Sequence, residues 1–277
     1  MNLLSKGAGF HEGYVEIAGP TGGVLHWLEF GRLGLTHATP SEGDTGPREA
    51  VFDVLGGTCK LELADGTVHD GLGGRPHAFA GGPTLICLPP HTKYCLSAVS
   101  LTVDLAVSWA PAEPGLPVAV VRPGDVPEQP TGVSNWSRTL RPGTSIASTT
   151  RRLMMAETIV PPGNWTSYPP HKHDAENPPT ESIYEEVYFY LLRPAGGYGI
   201  QRVYEPGNEP DRLNEVYVVE DGDAVAIPKG YHPLVVAAGY QMVYVWALCG
   251  KERVYGAWSD DPVHSWIRAA EPIVQAR

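Results

Sequence analysis

Proline or glycine interrupts most windows of a dozen residues along this chain, so continuous helical periodicity is hard to find. Proline removes a backbone donor and glycine loosens the helix, whereas both suit tight turns between short strands. With 27 prolines, 32 glycines and 13 tyrosines in 277 residues, the expectation is an all-β fold. That length allows one large β domain or two smaller ones, with a substantial core that needs no disulfide staples. A formal net charge of -11 argues against a nucleic-acid partner, which would favour a basic stripe. No apolar run approaches the roughly 20 residues of a membrane span, and Met1 to Phe10 does not read as a secretory signal. Cys59, Cys87, Cys95 and Cys249 are scattered without a C-x-x-C pair, so plain buried thiols in a reducing cytoplasm are expected.

The two halves of the chain share a pattern. In the second, Gly199 to Tyr204, Ala224 to Pro228 and Leu234 to Ala238 read as strands, with turns at Asp221-Gly-Asp223 and Gly230-Tyr-His232. In the first, Thr58 to Leu63 is a strand ending in an Asp65-Gly66 hairpin turn, and Gly82 to Pro89 mirrors Gly222 to Pro228. His91 then falls near the place His232 occupies, but the first half has no His-x-His pair. We therefore expect a first barrel over 1–120 without a metal shell, a proline-rich connection over 121–145, and a metal-binding barrel over 146–277.

His171 and His173 carry the chemistry. Two residues apart on a strand, they face the same side with Cα atoms roughly 6.6 Å apart, within reach of one cation. On the strand Glu185 to Tyr190, Glu186 shares a face with Tyr188 and Tyr190, while Glu185 shares the other with Val187, Phe189 and Leu191. The first face suits a polar cavity, so Glu186 is the expected carboxylate ligand and Glu185 a solvated strand-edge residue. His232, after the rigid turn Pro228-Lys-Gly230, is the third imidazole. Three histidines and one carboxylate leave open positions on a cation such as zinc, manganese, iron or nickel, as a catalytic site requires. Gly196-Gly-Tyr-Gly199 lacks the helix and lysine of a phosphate loop and reads as a hairpin turn.

Gly222, Pro228, Gly230 and His232 resemble the second motif of the cupin superfamily, with one residue in place of two before the histidine and Val236 where an asparagine is usual. The first motif also departs, with seven residues between Gly163 and His171 and twelve between His173 and Glu186. A closer resemblance lies in Pro161 to Asp174, Glu185 to Tyr190, Gly199 to Tyr204 and Asp221 to Pro233, which look like the 5-deoxy-glucuronate isomerases of myo-inositol catabolism. These are similar to the 4-deoxy-5-ketouronate isomerases of pectin breakdown. Motif likeness is high from about residue 150 to 250 and slight over the first 120. The resemblance implies a double-barrel (bicupin) fold and a cytoplasmic, metal-dependent isomerase acting on a small sugar acid; a homo-oligomer is compatible with it.

The implied reaction turns an aldehyde beside a carbinol into a ketone beside a primary alcohol. It needs a Lewis acid at the reacting oxygens, a proton shuttle if protons move, and a cationic clamp for the remote carboxylate. Arg202 is the first choice for the clamp, because a guanidinium forks onto a carboxylate. Tyr188 and Tyr190 are expected to donate to substrate oxygens. Metal-bound hydroxide, Glu186 or a tyrosinate are open as the base. A cupin dioxygenase and a non-catalytic sugar-binding protein are the rival readings.

Overall fold

Short alternating runs between turn glycines become strands almost throughout. The computed structural model describes residues 2–7, 9–146, 149–207 and 209–276, and among them only Trp266–Gln275 is α-helical. The largest sheet of the second half has seven strands in the order Leu4–Ser5, Ala224–Ile227, Tyr184–Arg193, Gln241–Gly250, Leu153–Val160, Arg138–Arg141 and Gln129–Thr131. Against it packs a four-stranded sheet of Trp165–Thr166, Leu234–Val236, Tyr198–Tyr204 and Asn214–Glu220. The first half is built around Arg48–Leu63, which pairs with Leu85–Leu88 and Thr102–Pro111 along its first part and with Val68–Arg75 and Lys93–Ala98 along its second. Register shifts at Val54/Gly56 and Gly57/Thr58 bend that strand from one sheet towards the other.

Side-chain alternation on Tyr184–Arg193 sets up two interiors at once. Tyr184, Tyr188, Tyr190 and Leu192 join the core between the two sheets of the second half. Val187 and Phe189 turn the other way, into a core shared with Phe30, Val51, Leu85 and Ala106 of the first half. The Phe30 and Phe189 rings meet there at 5.6 Å. A third core, of Leu33, Phe52, Leu61, Ile86, Leu105 and their neighbours, lies within the first half.

Several expectations change. Leu4–Ser5 pairs with Ala224–Ile227, so the first residues complete the second half's sheet. The 121–145 stretch, expected as a connection, contributes Gln129–Thr131 and Arg138–Arg141 to the same sheet. The Gly196-Gly197 turn is not a hairpin: it passes the chain from the seven-stranded to the four-stranded sheet. Asp65-Gly66 does close a hairpin, with Glu62 opposite Val68.

Glu185 is not a solvated edge residue. It is buried, and its carboxylate accepts the backbone N–H groups of His26, Trp27 and Leu28 at 2.6, 2.8 and 3.0 Å. Glu49, from the first half, does the converse: it accepts the N–H groups of Arg151, Arg152 and Leu153 at 2.7, 2.8 and 2.8 Å. Each half thus satisfies a bend of the other with a buried acid.

A second link is a buried charge cluster. Arg75 forks onto Glu157 at 2.5 and 3.0 Å, and Arg141 reaches the same carboxylate at 3.2 Å. Asp53 sits beside them at 3.1 Å from Arg75, with its other oxygen facing no donor. Burial, and then the Glu157 charge, hold the Asp53 carboxyl well above the usual range, so it keeps its proton. A raised folded-state value means that Asp53 favours folding most below about pH 4 and that this contribution fades as pH rises towards the folded value. Asp53→Asn should therefore gain stability relative to the native chain as pH rises above about 4 in guanidinium chloride titrations. A relative loss would show Asp53 to be an ionised partner of Arg75. Glu157→Ala, which removes the buried acid that Arg75 forks onto, should cost about 3–5 kcal/mol in the same assay.

Candidate metal centre

The inner face of the seven-stranded sheet displays its residues in cross-strand rows. Leu140 lies opposite Thr158, Thr158 opposite Tyr244, and Tyr244 opposite Tyr190. The next rows pair Tyr188 with Trp246 and Glu186 with Leu248. Most of these line a cavity of about 370 Å³, which Gln129, Thr131, Arg138, Ser167, His171, His173, Tyr255 and Trp258 complete.

At its floor, His173, Glu186 and His232 are all buried and bring one ligand atom each to a common focus. His173 Nε2 stands 3.0 Å, and His232 Nε2 3.2 Å, from the same Glu186 Oε2. The other ring nitrogens are committed: His173 Nδ1 lies 2.9 Å from the Tyr184 carbonyl and His232 Nδ1 2.9 Å from that of Gly230. Carbonyls only accept, so both Nδ1 atoms carry the proton in the neutral rings and both Nε2 lone pairs face the carboxylate. His232 Nε2 accordingly has no hydrogen-bond partner although it is buried. Three lone pairs turned on one point fit a cation, and imidazoles fixed by carbonyls are the usual support of a metal ligand. Among the described residues, no other His, Cys, Asp and Glu group has this arrangement.

Burial alone would raise the Glu186 carboxyl, but the adjoining His173 and His232 rings outweigh it and hold it below the usual range. Burial opposes charge on His173, yet the Glu186 carboxylate and the Tyr184 carbonyl lift its value. His171 is pushed well down by burial, then by His232 and His173, and stays neutral.

His171 lines the cavity with its ring 4.7 Å from that of His232, beside the triad but outside its common focus. Its strand is only His171–Lys172, so His173 has already left the ladder and the two rings are not parallel neighbours. Tyr188 reaches the cavity, hydrogen-bonded to Ser167 Oγ at 2.7 Å. Burial, and then the Glu186 charge, raise its phenol well above the ordinary range, so it is a proton-bearing hydroxyl and not a tyrosinate.

Two expected site residues lie elsewhere. Tyr190 is wholly buried outside the cavity lining and donates to Gln201 Oε1 at 3.0 Å. Gln201 in turn donates to the His232 and Pro233 carbonyls at 2.8 and 3.1 Å, so Tyr190 belongs to the scaffold that sets the third imidazole. Arg202 follows Gln201 on the strand and therefore points to the opposite face. There it covers the Tyr204 ring at 3.9 Å and donates to Asn214 Oδ1 at 3.0 Å, away from the cavity. His91 is an exposed turn residue.

Sequence reasoning missed Asp174 and Arg138. Asp174 accepts the Gly230 N–H at 2.8 Å and pairs with Lys172, which also binds Glu181 at 2.7 Å. This ties the His171–His173 segment to the turn that carries His232. Gly230 itself has φ 89, and a Cβ there would meet the Tyr204 carbonyl oxygen at 2.8 Å. Arg138 lay within the proline-rich stretch, where no periodicity marked it as a wall residue.

Removing the Asp174 tether should loosen the site more than the fold. Asp174→Ala is expected to weaken binding of Mn²⁺ or Zn²⁺ by about 10- to 100-fold in competition with a chromophoric chelator. An unchanged affinity would show that the turn holds His232 unaided.

The chain resembles known proteins over nearly its whole length. Residues 3–267 match the KduI/IolB family. The chain is 30% identical over 269 residues to the 5-deoxy-glucuronate isomerase of Geobacillus thermodenitrificans, covering 96% of this chain and 95% of that protein. It is 32% identical to the protein of the same name from Shouchella clausii, over 88% of each. Among solved structures, an IolB-like protein from Salmonella typhimurium superposes with a TM-score of 0.86 at 28% identity, covering 97% of this chain and all (100%) of that one. Oxalate decarboxylase of Lactobacillus farciminis reaches 0.65 at 11% identity, over 94% and 88% of the two chains, and shares the cupin-like fold alone. The chain belongs to the KduI/IolB family and is an isomerase of that family.

Proposed function

We propose that this protein is a divalent-metal-dependent aldose–ketose isomerase that converts 5-deoxy-D-glucuronate to 2-deoxy-5-keto-D-gluconate in myo-inositol catabolism. The observation that carries the reading is the convergence of two Nε2 lone pairs on the Glu186 carboxylate, with both Nδ1 atoms held by carbonyls. The relatives named 5-deoxy-glucuronate isomerase supply the substrate. In this reading each half is a jelly-roll-like barrel and only the second holds an ion. His173, Glu186 and His232 are its ligands, and His171, at the cavity wall beside them, adds a fourth donor. Zinc, manganese, iron and nickel all suit that set.

A divalent ion held there supplies Lewis acidity to a carbonyl and its neighbouring hydroxyl. The chain's own residues do the rest. Tyr188 keeps its proton and, supported by Ser167, donates to a substrate oxygen. Trp246, Tyr255 and Trp258 give the sugar's carbon skeleton an apolar wall, with Trp246 and Tyr255 nearly parallel at 11°. The partner is thus a small sugar acid and not a nucleic acid, in keeping with the net charge of -11. Four free cysteines accord with a reducing cytoplasm.

Elemental analysis of the purified protein, with NMR of the product formed anaerobically, tests this reading. One ion per chain and undiminished ketose formation without oxygen are expected; oxygen consumption coupled to turnover would instead select a dioxygenase. His173→Ala should lose the ion and at least about a hundredfold of activity, with only a small fall in thermal midpoint. Full activity without an ion would refute metal dependence.

A further inference from the structure

Among the described residues, the two fully buried arginines are paired with acids, and so is the partly buried Arg32, whereas the partly buried Arg138 is not. Arg75 and Arg141 share Glu157, and Arg32 meets Asp104 at 2.7 Å. Arg138 lines the cavity and has no carboxylate within ion-pair distance among the described residues. The neighbouring acids are engaged elsewhere: Glu271 accepts from Trp136 Nε1 at 3.1 Å, and Asp260 pairs with Arg268. Only Nη1 of Arg138 is used, donating to the Trp136 and Tyr168 carbonyls at 3.2 Å each. Among the described residues, Nε and Nη2 make no hydrogen bond, and together they form the edge of a guanidinium that takes a carboxylate in two parallel bonds. The cost of burying that charge shows in a value depressed by desolvation.

Its position is equally telling. Two strands, Gln241–Gly250 and Leu153–Val160, separate the strand of Arg138 from that of Glu186. Three ladder spacings, roughly 14 Å, therefore lie between the two backbones, across the floor of one cavity. Thr131, directly opposite Arg138 on the next strand, adds a hydroxyl at that end.

We propose that Arg138 clamps the substrate's carboxylate at the end of the cavity remote from the His173–Glu186–His232 cluster, and so selects sugar acids over neutral sugars. The assignment rests on the isomerase reading above and replaces Arg202 in that role. A chain with an anionic end on Arg138 lays its other end towards the cluster, so binding energy at the inert end orients the reacting one.

An enzyme-by-substrate cycle tests it. The native enzyme and Arg138→Gln, both loaded with metal, are assayed on 5-deoxy-D-glucuronate and on the analogue in which a primary alcohol replaces the carboxylate. Expected is a fall in kcat/KM on the acid of about a hundredfold or more, chiefly in KM, with little change on the neutral analogue. An equal fall on both substrates would overturn the clamp and leave Arg138 a scaffold for the Trp136 and Tyr168 carbonyls. No fall on either would overturn it too. Should Arg138→Gln not fold, Arg138→Lys enters the same cycle: it keeps the charge without the fork and should lose part of the acid preference, whereas full retention counts against the fork. If the native enzyme does not isomerise the acid, the isomerase reading fails, and calorimetry with D-glucuronate against D-glucose decides the clamp alone. Uronate binding lost in the variant then upholds it; binding unchanged, or none by the native protein, overturns it.

Discussion

Two imidazole lone pairs aimed at one carboxylate oxygen form an arrangement that proteins avoid unless a positive charge settles between them. Here the Glu186, His173 and His232 side chains are all buried, so water does not relieve the contact. The structure spends its tightest local constraints on keeping it. Backbone carbonyls of Tyr184 and Gly230 fix both ring tautomers, Asp174 ties one ligand segment to the other, and Gln201 grips the backbone at His232. None of these contacts touches a substrate, yet each limits where the three ligand atoms can go.

The same strand that presents Glu186 to the cavity presents Val187 and Phe189 to the first half of the chain. A period of two thus makes one strand both the floor of a reactive site and a seam of the main core. This explains how a half with no ligands of its own still serves the site. Its apolar residues pack against the sheet that carries Glu186, backing the cavity floor.

How much of this was legible follows from which interactions are local. Alternation on 184–193 separated Glu186 from Glu185 correctly, because the face of a strand depends on parity alone. Parity also decides Arg202: the strand is legible in the sequence but its phase is not, and Gln201 faces inward instead. Glu185 looked solvated because its partners, three amides at 26–28, lie far away in sequence. Arg138 was hidden for a like reason. Strands of three and four residues among prolines carry almost no periodic signal, and only pairing with Leu153–Val160 gives them a side. Chemistry written in short spacings could be read; walls assembled from distant segments could not.

Glu49 and Glu185 lend that last point a wider meaning. Each acid sits on a strand of one half and neutralises three successive amides of the other. The two halves hold one another's keys, an exchange that no apolar seam alone would create. Neither half can be traded into another protein, or lost from this one, without stranding a charge in what remains. The first half is held in place because the interior around Val187 and Phe189 belongs to both.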